Sequence, residues 1–157
     1  MPMRPGRGST APFAASSPPS SSAVSVILVA GGKAQLSKPA TARDLYVSPL
    51  FARRRARAEA SGVPWFIVSG RWGLLDPGDV VAPYSFSLAQ QSVSYQRAWG
   101  RFVAEQLALL SPVGRGDVVE IYTGAAYAAA LTAPTEYLGA RVRRATVGAS
   151  DSGNEPR

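Results

Sequence analysis

Three short apolar runs, at 24–30 (VSVILVA), 65–69 (WFIVS) and 118–123 (VVEIYT), each break off at glycine, and this repeated pattern limits the fold more than any other feature. Val, Ile and Leu in near-continuous series, without polar alternation, are the mark of strands covered on both faces. Such strands need a parallel sheet with helices above and below. The segments between the runs supply them. Ser48 before Pro49 reads as an N-cap with proline at the first helical position, opening a helix to about residue 60. Ser92 caps a second helix over 93–110, whose Tyr95, Trp99, Phe102, Val103, Leu107 and Leu110 fall on one stripe and are expected in the core. A short helix over 125–131 and a weak strand over 141–147 complete the alternation. The expected class is α/β, a mainly parallel sheet of about four strands with helices on both faces, in a Rossmann-like three-layer arrangement.

This pattern assigns 23–147 to a single domain. Residues 1–22, rich in Pro, Ser, Ala and Gly, carry too little apolar surface to offset the entropy of ordering, so a disordered tail is expected there and again at 148–157. The tail's two arginines are not followed closely by an apolar run, as a secretory signal requires. The run at 24–30 is too short to span a bilayer. The expected location is therefore cytoplasmic, with no membrane partner; the sequence leaves the oligomeric state open.

The chain contains neither cysteine nor histidine. Thiol nucleophiles, disulfides, thiolate or imidazole metal sites and Ser-His or Cys-His pairs are thereby excluded. No metal and no cofactor is expected, and any chemistry falls to Lys, Arg, Tyr, Ser, Thr or carboxylates. Net charge is +7, and residues 23–111 hold ten basic and five acidic side chains. That excess favours an anionic partner, whether small molecule, nucleotide or nucleic acid.

Ligands of open α/β sheets gather outside the carboxyl ends of the strands. Those ends read AGGK (30–33), SGRWG (69–73) and TGAAY (123–127). One glycine alone is a turn; three in the same topological place point to a ligand site. The candidate ligand-binding residues are Gly31, Gly32, Lys33, Ser69, Gly70, Arg71, Gly73, Thr123, Gly124 and Tyr127, with Tyr46 and Tyr84 as hydrogen-bonding or stacking groups. Free amides after the glycines hold an anion, to which Lys33 and Arg71 add charge. Lys33, Arg71 and Tyr127 are expected to meet around one hollow, with the long segment from Ser69 to Tyr84 folding over it as a lid. The stretch VAGGKAQ lacks the spacing of a phosphate-binding P-loop, and no Gly-x-Gly-x-x-Gly fingerprint follows a strand.

Two charged features have competing readings. In FARRRARAEA (51–60), a stripe of Ala52, Ala56 and Ala60 against the sheet leaves Arg54 in solvent, whereas Leu50 and Phe51 toward the core turn Arg54 inward, where it needs an anion or a carboxylate. The alanine stripe is the expectation. Arg53, Arg54 and Arg57 then form the candidate nucleic-acid-binding ridge. Glu120, within an apolar run, is either an acid or base with a raised pKa or the exposed face of an edge strand; the edge is expected. Asp76 and Asp79 flank Pro77-Gly78 as turn residues.

The stretches ARDLYVSPLFARRRARAE (42–59), PWFIVSGRWGLLDPGDVVAPYSFSL (64–88) and RAWGRFVAEQL (97–107) resemble the domain of unknown function 6884, a group of bacterial and phage proteins. The Ser-Gly-x-x-Gly-Leu…Pro-Tyr element is more distantly similar to the peroxide-stress YaaA proteins, for which DNA association has been proposed. Matching positions are Gly32, Lys33, Leu45, Tyr46, 48–51, Ser69, Gly73, Leu74, Pro83, Tyr84, Gly124 and Tyr127. The chain departs from the family's usual cysteine at Gly31, lysine at Gln35 and aspartate at Ser85. The resemblance supplies no reaction. Three readings stand: a nucleotide-binding domain acting as a base- or nucleotide-processing enzyme, a non-catalytic DNA- or RNA-associated accessory protein, and a divergent inactive family member.

Overall fold

Strand β1 (Val26–Ala30), buried along its whole length, runs through the middle of the sheet. In this computed structural model, which describes residues 23–147, the elements that follow are β2 (Ala40–Thr41), α1 (Ala42–Leu45), α2 (Pro49–Ser61), β3 (Trp65–Ser69), β4 (Gly73–Leu75), β5 (Val80–Val81), α3 (Val93–Leu110), β6 (Val118–Tyr122), α4 (Ala125–Tyr137) and β7 (Arg141–Arg144). The tails expected at 1–22 and 148–157 lie outside the described residues. The main sheet has the order β4-β3-β1-β6-β7, parallel throughout except for β4. A separate antiparallel pair joins β2 to β5. No helix among the described residues is long and apolar enough to cross a membrane.

Alternate residues of the central strands serve two apolar clusters. Val26, Leu28, Val68, Val119 and Ile121 pack with Trp99, Val103 and Leu107 of α3 and Leu131 of α4. Ile27, Val29, Ile67 and Tyr122 pack instead with Phe51 and Ala58 of α2 and with Ala42 and Leu45 of α1. Burying each large side chain contributes roughly 1.5–3 kcal/mol, and the double coverage explains why the strand sequences lack polar alternation. Ser48 and Ser92 cap α2 and α3 as expected, each side chain accepting the amide of the third residue on, Phe51 and Tyr95, at 3.0 Å. Gly100 of α3 lies against the Ala130 carbonyl, where a Cβ would collide. That carbonyl lost its helical donor to Pro134, four residues on, so one glycine admits the close approach of α3 and α4.

Several expectations are corrected. The main sheet has five strands rather than about four, because 70–72 is a tight turn and the chain doubles back as β4. Gly73 opens β4 at φ +81°, and a side chain there would strike Phe102 and Gln106. The Gln106 amide covers the outer edge of β4, its Oε1 accepting the Leu74 N–H at 2.7 Å and its Nε2 donating to the Leu74 carbonyl at 3.4 Å. The α3 stripe is narrower than its periodicity implies: Trp99, Val103 and Leu107 are buried, but Tyr95, Phe102 and Leu110 are exposed. Small Gly100 and Ala104 take the remaining core-facing positions. Helix α4 passes the expected stop at 131, and β7 ends at Arg144 rather than at 147.

Candidate functional site

From β1 the chain crosses by α2 to β3 on one side, then by α3 past β1 to β6 on the other. Loops leaving β1 and β6 therefore part in opposite directions, which opens a crevice at the switch point. A cavity of about 300 Å3 lies there, walled by Gly31, Gly32, Ser48, Arg54, Gly124 and Tyr127. Gly124 caps α4 with extended backbone, and the first intrahelical bond runs from the Ala128 amide to its carbonyl. The amides of residues 125–127 in the cavity wall thus have no partner within the helix.

Arg54 enters this cavity because Phe51 and Ala58 are the buried residues of α2, and position 54 lies within about 60° of both around the helix axis. Ala52, Ala56 and Ala60 are exposed, which overturns the alanine stripe: the bulk of Phe51 decides the rotation of the helix. The Arg54 side chain is partly buried, and its Nε is shielded from solvent with no hydrogen-bond partner. Burial lowers its pKa, and Arg144 and then Arg53 push in the same direction. Arg144 is held close by, its Nε and one terminal nitrogen donating to the Thr123 carbonyl at 3.3 and 3.2 Å. Positive charge is gathered here, with Arg144 and Arg53 both near Arg54.

A second hollow of about 460 Å3 is walled by Lys33, Gln35, Tyr84, Ser85, Gln90 and Gln91. It adjoins the first, since Gly32 and Ala89 of the inner wall directly precede Lys33 and Gln90 of the outer. Gln35 ties the two together, donating to the Gly32 carbonyl at 3.3 Å and accepting the Tyr84 amide at 2.9 Å.

Two further hydroxyl groups meet Tyr84 of the outer wall. Tyr84 Oη meets Tyr46 Oη at 2.5 Å and Ser69 Oγ at 2.8 Å. Ser69 is positioned by β3 and by its turn, its Oγ accepting the amides of Arg71 at 3.2 Å and Trp72 at 3.0 Å. Tyr46 packs on Gly31 so closely that a Cβ there would enter its ring. Burial, and then Tyr84, push the Tyr46 phenol well above its ordinary range. Burial followed by Tyr84 likewise raises Tyr127, whose ring stands edge-on to Trp99 at 5.2 Å.

The structure thus brings Gly31, Gly32, Gly124 and Tyr127 to the inner hollow and Lys33 and Tyr84 to the outer one, while Tyr46 and Ser69 line neither and are joined to the outer wall through Tyr84. Thr123 is buried behind the crevice, its hydroxyl donating to the Gly124 carbonyl at 3.0 Å. Gly70 lies in the β3–β4 turn beside the Tyr127 hydroxyl. Arg71 lines neither hollow; its guanidinium lies over the Trp72 ring, 4.7 Å from the centroid. Lys33, Arg71 and Tyr127 accordingly do not share these walls, because SGRWG is a hairpin turn and not an exit into a helix. The expected lid is instead β4, the Asp76–Asp79 turn and β5.

Glu120 is corrected too. Strand β6 lies inside the sheet, Glu120 is 8% exposed, and its carboxylate accepts from Tyr122 Oη at 3.0 Å and from Arg143 at 2.8 and 3.1 Å. Within the α2 ridge, Arg55 pairs with Glu59 and Asp44, and Arg57 is exposed. The sequence reading missed Gln90, Gln91 and Arg144, and it placed Arg54 only in the nucleic-acid ridge. Nothing local marks the first three. For Arg54, the competing requirement of Phe51 was a usable signal. Among the described residues no three His, Cys, Asp or Glu side chains come together as metal ligands.

A family of unknown function, DUF6884, matches residues 26–151, and the chain belongs to it. No curated protein and no solved structure matches.

Proposed function

We propose that this family member binds a small phosphate-bearing ligand, of the nucleotide class, at the carboxyl ends of β1 and β6. The observation that carries the reading is Arg54: a partly buried guanidinium whose Nε has no partner, with Arg144 and Arg53 beside it, in the wall of a cavity that also holds the start of α4. Like charges gathered at a partly buried place are costly unless an anion joins them. Phosphate at a helix N-terminus, beside glycines that admit its oxygens, meets that need. The Rossmann-like three-layer reading belongs to the same proposal; the two apolar clusters, one with α1 and α2 and the other with α3 and α4, support it. Base or nucleotide processing extends the proposal, with the hydroxyl groups of Ser69, Tyr46 and Tyr84 orienting the substrate.

An accessory protein reading a nucleic-acid backbone would present Arg53, Arg54 and Arg57 together to solvent. The shielded Nε atoms of Arg53 and Arg54 favour the small anion. Calorimetric titration of the wild type and Arg54→Ala with inorganic phosphate and nucleoside monophosphates tests the proposal. Saturable one-to-one binding lost in Arg54→Ala supports it. Binding that survives the substitution, or binding only to oligonucleotides with a steep salt dependence, overturns it.

A further inference from the structure

The hydroxyl groups that meet at Tyr84 carry one more hydrogen than their mutual contacts use. Ser69, Tyr46 and Tyr84 have three O–H donors, and the two shortest contacts among them, at 2.5 and 2.8 Å, both fall on Tyr84. Two backbone amides already occupy the Ser69 oxygen, so Ser69 donates to Tyr84. The contact between the phenols uses one further hydrogen, whichever way it points. One phenolic hydrogen is left over, on Tyr46, which is 4% exposed, or on Tyr84, which faces the outer hollow. The Tyr127 hydroxyl, beside Gly70, also donates to no described protein group. Donors in and beside a protein interior are ordinarily satisfied, and a ligand in the hollows is one group that can accept these hydrogens.

From this surplus we infer that the ligand carries a hydroxyl group beside its anion, and is a phosphorylated sugar, either free or as the sugar–phosphate part of a nucleotide. The inference rests on the anion reading of the crevice and specifies what is attached to the anion. A ligand hydroxyl suits the cluster because it takes the spare phenolic hydrogen and returns its own to a phenol lone pair; a carbonyl can only accept. Size agrees: about 300 Å3 is at the small end of ligand pockets, which run from roughly 300 to 1,000 Å3, and it suits a sugar phosphate better than a dinucleotide. A base attached to the sugar would pass Tyr84 into the outer hollow of about 460 Å3, toward Gln90 and Gln91.

The test is a set of titrations of the wild type and of Tyr46→Phe, Tyr84→Phe and Tyr127→Phe with inorganic phosphate, ribose 5-phosphate and adenosine monophosphate. Wild type is expected to bind ribose 5-phosphate about tenfold or more tighter than phosphate. Tyr46→Phe or Tyr84→Phe should lose roughly 3–10-fold for the sugar phosphate and nothing for phosphate. Melting curves identify any variant that fails to fold, and the remaining phenylalanine variants then decide. Equal affinity of the wild type for phosphate and ribose 5-phosphate overturns the inference while the anion reading stands, as do variants that weaken both ligands alike. Failure of all three compounds to bind removes the anion reading and this inference with it. Tighter binding of the nucleotide than of ribose 5-phosphate identifies a nucleotide; equal binding identifies the free sugar phosphate.

Discussion

Two charged groups intrude on the α2 side of the sheet, and they are treated differently. Glu120 in β6 is enclosed and complete: Arg143 from the neighbouring strand and Tyr122 from its own occupy its oxygens. Arg54 in α2 reaches the carboxyl end of the same strands, where Arg144 and Arg53 lie near it and its Nε has no hydrogen-bond partner. The first arrangement closes within the chain, and the second is open toward a cavity. An ionised group in a protein interior is tolerated when its partner is built in, and it is informative when the partner is missing.

The largest expected effect lies in the closed region. Glu120→Ala leaves Arg143 and Tyr122 facing an empty place and should lower stability by about 2–3 kcal/mol in urea unfolding. This is below the roughly 3–5 kcal/mol of a fully buried pair, because the Arg143 side chain is 41% exposed. A loss under 0.5 kcal/mol, the range of ordinary surface changes, would erase the contrast. In the open region the sign reverses. Arg54→Met should raise the melting temperature by about 2–4 °C and abolish the stabilisation that phosphate gives the wild type. A lower melting temperature would mean that Arg54 belongs to the fold and not to a ligand.

Next in size is an alkaline effect. Tyr46 and Tyr127 in the open region and Tyr122 in the closed one are all held above the ordinary phenol value of 10.0 by burial. The folded chain therefore keeps protons that the unfolded chain releases. Stability is full below pH 10 and falls as pH rises beyond it. Tyr46→Phe should flatten that fall in melts from pH 9 to 11, and an unchanged slope would remove Tyr46 from the explanation. The smallest effect belongs to Asp44, whose carboxyl is lowered by the Thr41 hydroxyl and then by Arg55, at full exposure. Its contribution is present above the ordinary value of 3.8 and is lost as pH falls through the lowered one. Asp44→Ala should leave the melting temperature at pH 7 within error.

Much of the scaffold was legible in the sequence because it follows from short-range rules. The β1, β3 and β6 runs, both serine caps and the span of α3 come from local composition, and all match the observed elements to within a residue or two. Strand β4 was hidden: three residues carry no periodicity, and the Ser69 turn that creates it reads equally well as a loop. Helix α4 runs on through Pro134, a residue that local rules place at helix ends, and Gly100 gives room to the Ala130 carbonyl that the proline leaves without a helical donor. For the site, glycine at strand ends located the crevice, since that rule is topological. Cations were harder to place. Arg71 follows a strand as Lys33 does, but a hairpin turns it toward Trp72, while Arg54 is turned inward by a neighbour's bulk. Which way a long side chain points depends on contacts between distant segments.

The seat taken by Gln106 on Leu74 has a consequence for how this molecule meets its own kind. A sheet's outermost rung ordinarily offers another chain a ready place to zip on, and here one glutamine fills that rung like a stopper. At the opposite margin, β7 carries arginine at three of its four positions, a poor welcome for a like-charged strand. Growth by strand addition is thereby discouraged at both margins of the main sheet, and copies of the chain are kept from zipping together there.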